Sequence, residues 1–242
     1  MASTTFTNGS TLSDDGWFNA ADQVIYEQHG VGKTTVASAT TPDIFAVTIG
    51  HFIDYTGTAT CTGFVAAVSA GSERVLYCAG ACLFTAGANL LIEGIPSGTT
   101  ITLAAGAIVR VYANTTTQFK LTYSLSGSFT AAGTGFSANG SATAYYNVVN
   151  GMVTVSLQGT NTGTSNATTY TITGWPACIQ PVAGHQQKFS NLLALDNNAY
   201  VYTVIATLET TTMTLYTTPI GAGWTASSTK GIYPQTLTYQ LY

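Results

Sequence analysis

The segment GVGKTT, which begins at Gly30, holds the residues of this chain that could bind a nucleotide phosphate. A phosphate-binding loop has the pattern G-x-x-x-x-G-K-[ST], and its first glycine lets the backbone curl around the phosphates. Here Glu27 stands five residues before Gly32, where that first glycine is required. The residues after Lys33 are also poor helix formers, although the loop must lead into a helix. We therefore predict a helix end followed by a loop, and no nucleotide site.

Cysteine and histidine could hold a metal ion, but their spacing does not suit one. A structural zinc site needs four ligands, commonly as two closely spaced pairs, and only Cys78 and Cys82 form such a pair. We predict buried, reduced thiols and no metal or other cofactor. Two disulfides in an exported protein are the alternative. The cysteines and histidines are Cys61, Cys78, Cys82, Cys178, His29, His51 and His185.

Two carboxylates in the second half of the chain, Asp196 and Glu209, could support glycoside hydrolysis. That reaction needs two acidic side chains facing each other across the scissile bond. Asp196 precedes Asn197-Asn198 and so fits a turn, while Glu209 fits the tip of a hairpin. We therefore predict that the chain is not an enzyme. A carbohydrate-active enzyme is the alternative from a different class.

The aromatic residues suggest a binding surface. The chain has 14 Tyr, 10 Phe and 3 Trp residues, and Trp224 and Tyr233 lie in loop-like sequence near the C-terminus. Exposed Tyr and Trp among Thr, Ser and Asn residues form good contact surfaces for sugars and proteins. We predict that Trp224 and Tyr233 contact a receptor. The alternative is that these rings fill the core or a subunit interface.

Charged residues make up only 7% of the 242 residues, against about 25% in an ordinary soluble domain. The formal net charge is −4, and the six basic residues are scattered along the chain. Binding to nucleic acid or to an anionic membrane needs clustered Lys and Arg, so we exclude both. The sequence also lacks a secretory signal pattern and any run of roughly 18 apolar residues that would predict a membrane span.

Residues 1–43 differ from the rest of the chain and are predicted to form an N-terminal attachment arm. The first 40 residues hold four of the ten carboxylates. Asp14 or Asp15 can cap a short helix that ends near Gly30. A helix of this length is marginal alone, so its apolar side chains must contact something else. The apolar side chains proposed for attachment are Trp17, Phe18, Val24 and Ile25.

From Ile44 onward, short apolar or alternating runs separated by Gly, Asn, Ser and Pro predict an all-β fold. The spacing of these runs is typical of antiparallel β-sandwich modules, jelly-roll-like in type. We predict a middle β module at residues 44–126 and a C-terminal β-sandwich module at residues 127–242. The segment Ser126–Ala142 is rich in small residues and is predicted to connect the two modules.

The strongest local signal in the chain is a β-hairpin. Thr143–Val149 and Met152–Gln158 flank Asn150-Gly151, a pair that suits a two-residue type I′ turn. Alternation of Val153 and Val155 with polar residues predicts one buried face and one solvated face. A second hairpin is predicted for Tyr200–Leu208 and Met213–Thr218.

Three stretches resemble virion proteins of tailed bacteriophages. Thr4–Asn19 (TTFTNGSTLSDDGWFN), followed by a short helix, resembles the start of tail-fibre and related proteins. Asn89–Tyr112 is similar to a phage β module with the pattern LiLPgg-anitt-aGd, although Ala107 stands where that pattern has an acidic residue. Val149–Pro181 resembles a C-terminal fibre module with the pattern sGTSNaT-f-itGlPa-irP.

This resemblance implies a structural protein of the phage virion, made in the host cytoplasm and assembled as a homotrimer. The arm would attach to other virion proteins, and Trp224 and Tyr233 would contact the host. The leading hypothesis is a short tail fibre or receptor-binding protein that contacts a host-surface glycan or protein without cutting it. The alternative is a capsid decoration or cement protein that stabilises the head shell.

Overall fold

The computed structural model describes residues 33–46, 49–138, 140–157 and 163–242. The predicted N-terminal helix lies outside these ranges. The same is true of its four proposed attachment residues, Trp17, Phe18, Val24 and Ile25. The prediction of an attachment helix is therefore untested.

Within the described ranges the chain is built almost entirely from β-strands, with one turn of 3-10 helix at Ala177–Ile179. β-Branched Thr, Val and Ile favour this state because their side chains pack well on a pleated surface. The prediction of an all-β fold is confirmed. The strands are β1 (Thr34–Ala37), β2 (Phe52–Thr56), β3 (Thr60–Cys61), β4 (Glu73–Cys78), β5 (Cys82–Thr85), β6 (Leu90–Ile92), β7 (Thr100–Leu103), β8 (Ile108–Ala113), β9 (Phe119–Gly133), β10 (Ser141–Val149), β11 (Met152–Leu157), β12 (Gly163–Thr164), β13 (Thr171–Thr173), β14 (Gln187–Asp196), β15 (Ala199–Leu208), β16 (Met213–Tyr216), β17 (Thr229–Ile232) and β18 (Gln235–Gln240).

The strands form one large hydrogen-bonded network and one small sheet. The large network follows the order β1-β2-β4-β8-β9-β13-β16-β15-β14-β17-β12, with β6, β10, β11 and β18 joined to it beside β9. Strands β3, β5 and β7 form the small sheet. The two pack together through aromatic rings, since Tyr55 of β2 stacks on Phe84 of β5 with centroids 5.5 Å apart. The arrangement is sandwich-like, as predicted.

Most neighbouring strands are antiparallel, and parallel pairs occur near the N-terminal edge. Strand β1 pairs in parallel with β2, which pairs in parallel with β4. Strand β1 lies inside the range predicted for the attachment arm, so the end of that range belongs to the sheet. A phosphate-binding loop would continue into a helix after Lys33, but Thr34–Ala37 forms a β-strand. This agrees with the incomplete nucleotide motif in the sequence.

The prediction that Ser126–Ala142 connects two modules is wrong for much of this segment. Strand β9 continues to Gly133 and pairs with β10 from Ser124 opposite Val149 to Ala132 opposite Ser141. The small side chains suggested a loop, but a long ladder of backbone hydrogen bonds satisfies this stretch as a strand. Strand β9 therefore crosses the boundary that was predicted at residue 126.

The predicted hairpin around Asn150-Gly151 is confirmed. Strands β10 and β11 are antiparallel with Val149 opposite Met152. Asn150 and Gly151 have φ values of 48° and 82°, the left-handed values that a type I′ turn requires. Val153 and Val155 are buried, while Thr154 is half-buried between them.

The hydrophobic core is continuous from Ile44 to Leu241 and includes strands of both predicted modules. Among the described residues, the charged side chains buried with it are those of Arg74 and Lys230. The Arg74 Nε donates a hydrogen bond to the Ile44 carbonyl at 3.1 Å. Charge is thus kept at the surface except where backbone carbonyls accept the buried donors.

Candidate functional site

The structure corrects the prediction that Trp224 contacts a receptor. Trp224 is only 3% exposed, and its indole Nε1 donates a hydrogen bond of 2.8 Å to the Leu215 carbonyl. Its ring also meets Tyr170 edge to face, with centroids 5.1 Å apart. The loop that carries Trp224 folds back over the sheet, and burial with its N–H satisfied is typical of a core tryptophan. Trp224 therefore stabilises the core and has no free face for a ligand.

Tyr233 lies at the surface and belongs to a group of three tyrosines. It follows β17, is half-buried, and is fixed by a backbone hydrogen bond from its N–H to the Leu193 carbonyl at 3.1 Å. Its ring lies 5.6 Å from that of Tyr200, which lies 6.2 Å from the ring of Tyr202. We call Tyr200, Tyr202 and Tyr233 the tyrosine patch.

Strand geometry accounts for the exposure of the patch. Tyr200 and Tyr202 are two residues apart on β15, so their side chains point to the same face of the sheet. They are 61% and 66% exposed, which leaves most of each ring open to solvent. Tyrosine side chains exposed in this way present apolar ring faces together with polar hydroxyl groups.

The neighbouring strands hold the patch in place. Strand β15 forms a hairpin with β14, in which Tyr200 lies opposite Leu195. On its other side β14 pairs with β17, where Leu195 lies opposite Gly231. Asn197 and Asn198, at the hairpin turn, have φ values of 50° and 64°, which asparagine adopts more readily than most residues. Tyr200 and Tyr202 therefore stand on a paired strand, and Tyr233 directly follows one.

The hydroxyl groups of the patch are linked. A hydrogen bond between the Tyr233 and Tyr200 hydroxyl groups favours the protonated form of Tyr233 and raises its pKa above the ordinary value. The Tyr233 hydroxyl is therefore neutral near neutral pH and can donate or accept hydrogen bonds. Such a surface can stack on the apolar face of a sugar or a side chain and bind polar groups at the ring edges.

The sequence indicated Tyr233 but missed Tyr200 and Tyr202. Both tyrosines were placed in the predicted second hairpin, and their Y-x-Y spacing is the signal that puts them on one face. Which face is open to solvent depends on what the rest of the chain covers, and the spacing does not contain that information.

Asp196 and Glu209 do not form a catalytic pair. Asp196 ends β14 beside the turn, whereas Glu209 follows β15 at the far end of the same hairpin. Nine residue steps of about 3.4 Å along β15 separate the two by about 30 Å. Paired glycosidase carboxylates lie about 5 to 10 Å apart.

Both carboxylates have structural roles instead. Asp196 accepts hydrogen bonds from the Thr225 backbone N–H at 3.1 Å and from the Thr225 hydroxyl at 3.0 Å, which ties the Trp224 loop to the hairpin. Glu209 accepts a hydrogen bond from Gln186 at 2.7 Å. Their backbone positions, a turn and a hairpin tip, are those predicted.

The cysteines are free thiols in the structure. Burial raises the pKa of Cys61 to about 11, so this thiol stays protonated and is a poor nucleophile near neutral pH. Cys78 and Cys82 are buried at the facing ends of β4 and β5. Among the described residues, no group of three or more His, Cys, Asp or Glu side chains is placed to hold a metal ion. None of the helical structure in the described ranges is long and apolar enough to cross a membrane.

Comparison with known proteins gives little further information. No protein-family model matches the chain, and no curated protein matches it. Among solved structures, it is similar to the reovirus attachment protein sigma1 in complex with alpha-2,3-sialyllactose, with 14% identity and a TM-score of 0.35. The match covers 48% of this chain and 66% of that chain. A TM-score this low gives the similarity no weight for the fold or function of this chain.

Proposed function

We propose that this chain is a bacteriophage structural protein that binds the host surface, most simply as a short tail fibre or receptor-binding protein. The observation that carries the proposal is the tyrosine patch, three neighbouring rings of which two are mostly exposed and stand on β15. The resemblance of three sequence stretches to phage virion proteins supports the particle as its location. In this proposal the chain assembles as a homotrimer and its N-terminal arm attaches to other virion proteins.

The patch has the properties of a contact surface. Tyrosine combines a large apolar ring with a hydrogen-bonding hydroxyl and is enriched in protein interfaces. Because the rings are already in place on the sheet, little conformational entropy is lost when a ligand binds. A saccharide or protein on the host surface, with apolar faces and hydroxyl or amide groups, suits this chemistry.

We further propose that binding occurs without cleavage. The one carboxylate pair that the sequence suggested for sugar hydrolysis is separated by the length of a hairpin, about 30 Å. The patch itself is built from tyrosines, which supply contact area and hydrogen bonds rather than a general acid with a paired base. The host ligand is therefore held and released unchanged.

Replacing two rings of the patch tests the proposal. The variant Tyr200→Ala, Tyr202→Ala should bind immobilised host cells at least tenfold more weakly than the unchanged protein, as expected for loss of two aromatic contact residues. Its melting temperature should be nearly unchanged because both side chains are exposed. Binding can be measured by fluorescence of the labelled full-length chain on a panel of bacterial strains and purified surface glycans.

Tyr145 provides the matched control. It is 54% exposed on β10, outside the patch, so Tyr145→Ala should bind as the unchanged protein does. Equal binding by the unchanged protein and the double variant would contradict the proposal. An equal loss in Tyr145→Ala would also contradict it, because the loss would then not be specific to the patch.

A further inference from the structure

Two buried cysteines lie where the chain passes from the large network to the small sheet. Cys78 is the last residue of β4 and Cys82 is the first residue of β5, so three residues separate them. Strand β4 belongs to the large network, and β5 belongs to the small sheet. Both side chains are fully buried at the corner where the two layers meet.

The backbone of Tyr55 brings the two ends of this corner together. Cys78 is paired with Tyr55 in the parallel ladder of β2 and β4. The Cys82 Sγ lies 3.7 Å from the Tyr55 carbonyl oxygen. The Ala79 N–H donates a hydrogen bond of 3.0 Å to the same oxygen. Both cysteines are therefore held beside one residue of β2.

The two thiols contact each other and have room to move closer. Cys78 and Cys82 are hydrogen-bonded through their side chains. A disulfide needs the two sulfur atoms to approach to about 2.05 Å. Ala79 and Ala81 are exposed, and a Cβ added at Gly80 would have no atom within 4 Å. Nothing on that side of the turn opposes the small shift that a bond requires.

The hydrogen bond makes the two thiols chemically different. It lowers the pKa of Cys82, because the Cys78 S–H stabilises a thiolate there, although burial acts in the opposite direction. The same hydrogen bond, together with burial, raises the pKa of Cys78. Burial raises the pKa of Cys61 and of Cys178. Because the thiolate is the reactive form of cysteine, Cys82 is the best nucleophile of the four.

We propose that Cys78 and Cys82 form a site of reversible oxidation, which hydrogen peroxide converts to a disulfide. The Cys82 thiolate attacks one peroxide oxygen, so an S–O bond forms, the O–O bond breaks, and the departing hydroxide takes up a proton to become water. The Cys78 sulfur then attacks the sulfenic acid on Cys82. The S–S bond forms, the S–O bond breaks, and the leaving hydroxide takes the Cys78 proton as a second water. The two thiols lose two electrons, which reduce one peroxide to two waters.

The disulfide would restrain the corner between the two layers, where Tyr55 already stacks on Phe84. In a reducing compartment the pair stays as two thiols, and it closes where an oxidant is present. This inference goes beyond the proposed function and does not depend on it, because it concerns the thiols of the chain alone.

Mass spectrometry of the full-length chain after treatment with hydrogen peroxide tests the inference. Trypsin cuts after Arg74 and Arg110, and no Lys or Arg lies between them, so peptide 75–110 carries both Cys78 and Cys82. After the peroxide is removed, the chain is unfolded and its free thiols are alkylated. Peptide 75–110 should carry no alkyl group and should be lighter by two hydrogen atoms than its reduced form. A reducing agent should restore both thiols.

The other two cysteines are internal controls, because Cys61 and Cys178 each fall in a different tryptic peptide. Both should be oxidised at least about tenfold more slowly than the pair, since burial raises their pKa values. The matched control variant is Cys61→Ser, which should close the disulfide as the unchanged protein does. In Cys78→Ser the sulfenic acid of Cys82 has no resolving thiol, so a 1,3-diketone reagent should trap it.

The melting temperature gives a second measurement. Closing this short loop should raise the melting temperature by about 4 to 8 °C, and reduction should reverse the rise. An unchanged or lower melting temperature in the oxidised chain would show that the bond does not restrain the corner, and would overturn that role.

Three other results would overturn the oxidation site. The first is alkylation of both Cys78 and Cys82 after peroxide treatment of the folded chain. The second is oxidation of Cys82 to a sulfinic acid while Cys78 stays free, because the pair would then not close. The third is equally fast oxidation of Cys61, because the site would then not be selective. No host cell enters these measurements, so their failure leaves the proposed function untouched.

Discussion

Lys230 is buried in the C-terminal half of the protein, next to the loop before β13. Its ammonium group donates hydrogen bonds to the Ala167 and Thr169 carbonyls at 2.8 Å and 2.7 Å. The rings of Phe136 and Tyr170 lie 5.1 Å and 5.8 Å from its Nζ. Burial lowers the pKa of Lys230, an effect that the charge of Asp196 opposes. The side chain therefore holds the loop against the core through charge-assisted hydrogen bonds.

Replacing Lys230 with methionine should destabilise the protein strongly. Methionine keeps much of the side-chain volume but leaves two carbonyl groups without their donor, at a cost of about 2 to 4 kcal/mol. Chemical denaturation followed by tryptophan fluorescence would measure the free energy of unfolding. Lys188→Met is the control, because Lys188 is exposed on β14 and its loss should cost under about 0.5 kcal/mol. Similar stabilities for the two variants would contradict this role for Lys230.

Individual residue types predicted the candidate site only in part. Trp224 and Tyr233 occupy similar loop-like sequence, yet one is buried and the other is at the surface. The difference arises from contacts far along the chain: the Trp224 ring meets Tyr170, and the Tyr233 ring meets Tyr200. Local sequence contains neither contact, so burial of a loop aromatic could not be predicted from it.

At the scale of elements, two of the stretches that resemble phage modules meet at one turn. The loop after β6 contains Gly94, and its backbone lies against the Asn150-Gly151 turn between β10 and β11. Gly94 has a φ of 74°, and an added Cβ there would lie 2.0 Å from the Asn150 carbonyl oxygen. The close approach of two backbones therefore depends on a residue without a side chain.

Gly94→Ala should cost far more stability than Gly98→Ala. Gly98 has a similar φ of 84°, but nothing lies within 4 Å of an added Cβ. The second substitution therefore carries only the left-handed backbone penalty of about 1 to 2 kcal/mol. Gly94→Ala adds displacement of the hairpin turn and should cost at least about 3 kcal/mol in all.

Thermal and urea unfolding of both glycine variants would measure this difference. Near-equal costs would show that the loop after β6 moves away from the turn without loss. The contact between the two stretches would then not be important for the fold.

Strands whose pattern is complete within a short stretch of sequence were predicted well. Strands that depend on pairing with a distant part of the chain were not. The hairpin of β10 and β11 was predicted because Asn150-Gly151 and the alternating valines are adjacent in sequence. The extension of β9 to Gly133 was missed because its small residues are strand-like only when paired with β10. The parallel pairing of β1 with β2 was missed for the same reason.

At the scale of the whole molecule, charge is distributed unevenly. Residues 33–242 contain six acidic and six basic residues, so the formal net charge of −4 lies entirely within residues 1–32. The β region is thus neutral overall, and its contacts with other molecules depend on apolar and hydrogen-bonding surfaces rather than on a long-range field. The tyrosine patch is one such surface, and it is the one proposed to contact the host.

The most direct test of the central claim is electron microscopy of intact phage particles labelled with gold-conjugated antibody against residues 143–242. This range contains the whole tyrosine patch. If the chain contacts the host surface, gold should lie at the tip of the tail. Gold over the head would contradict that account and would favour a capsid decoration protein.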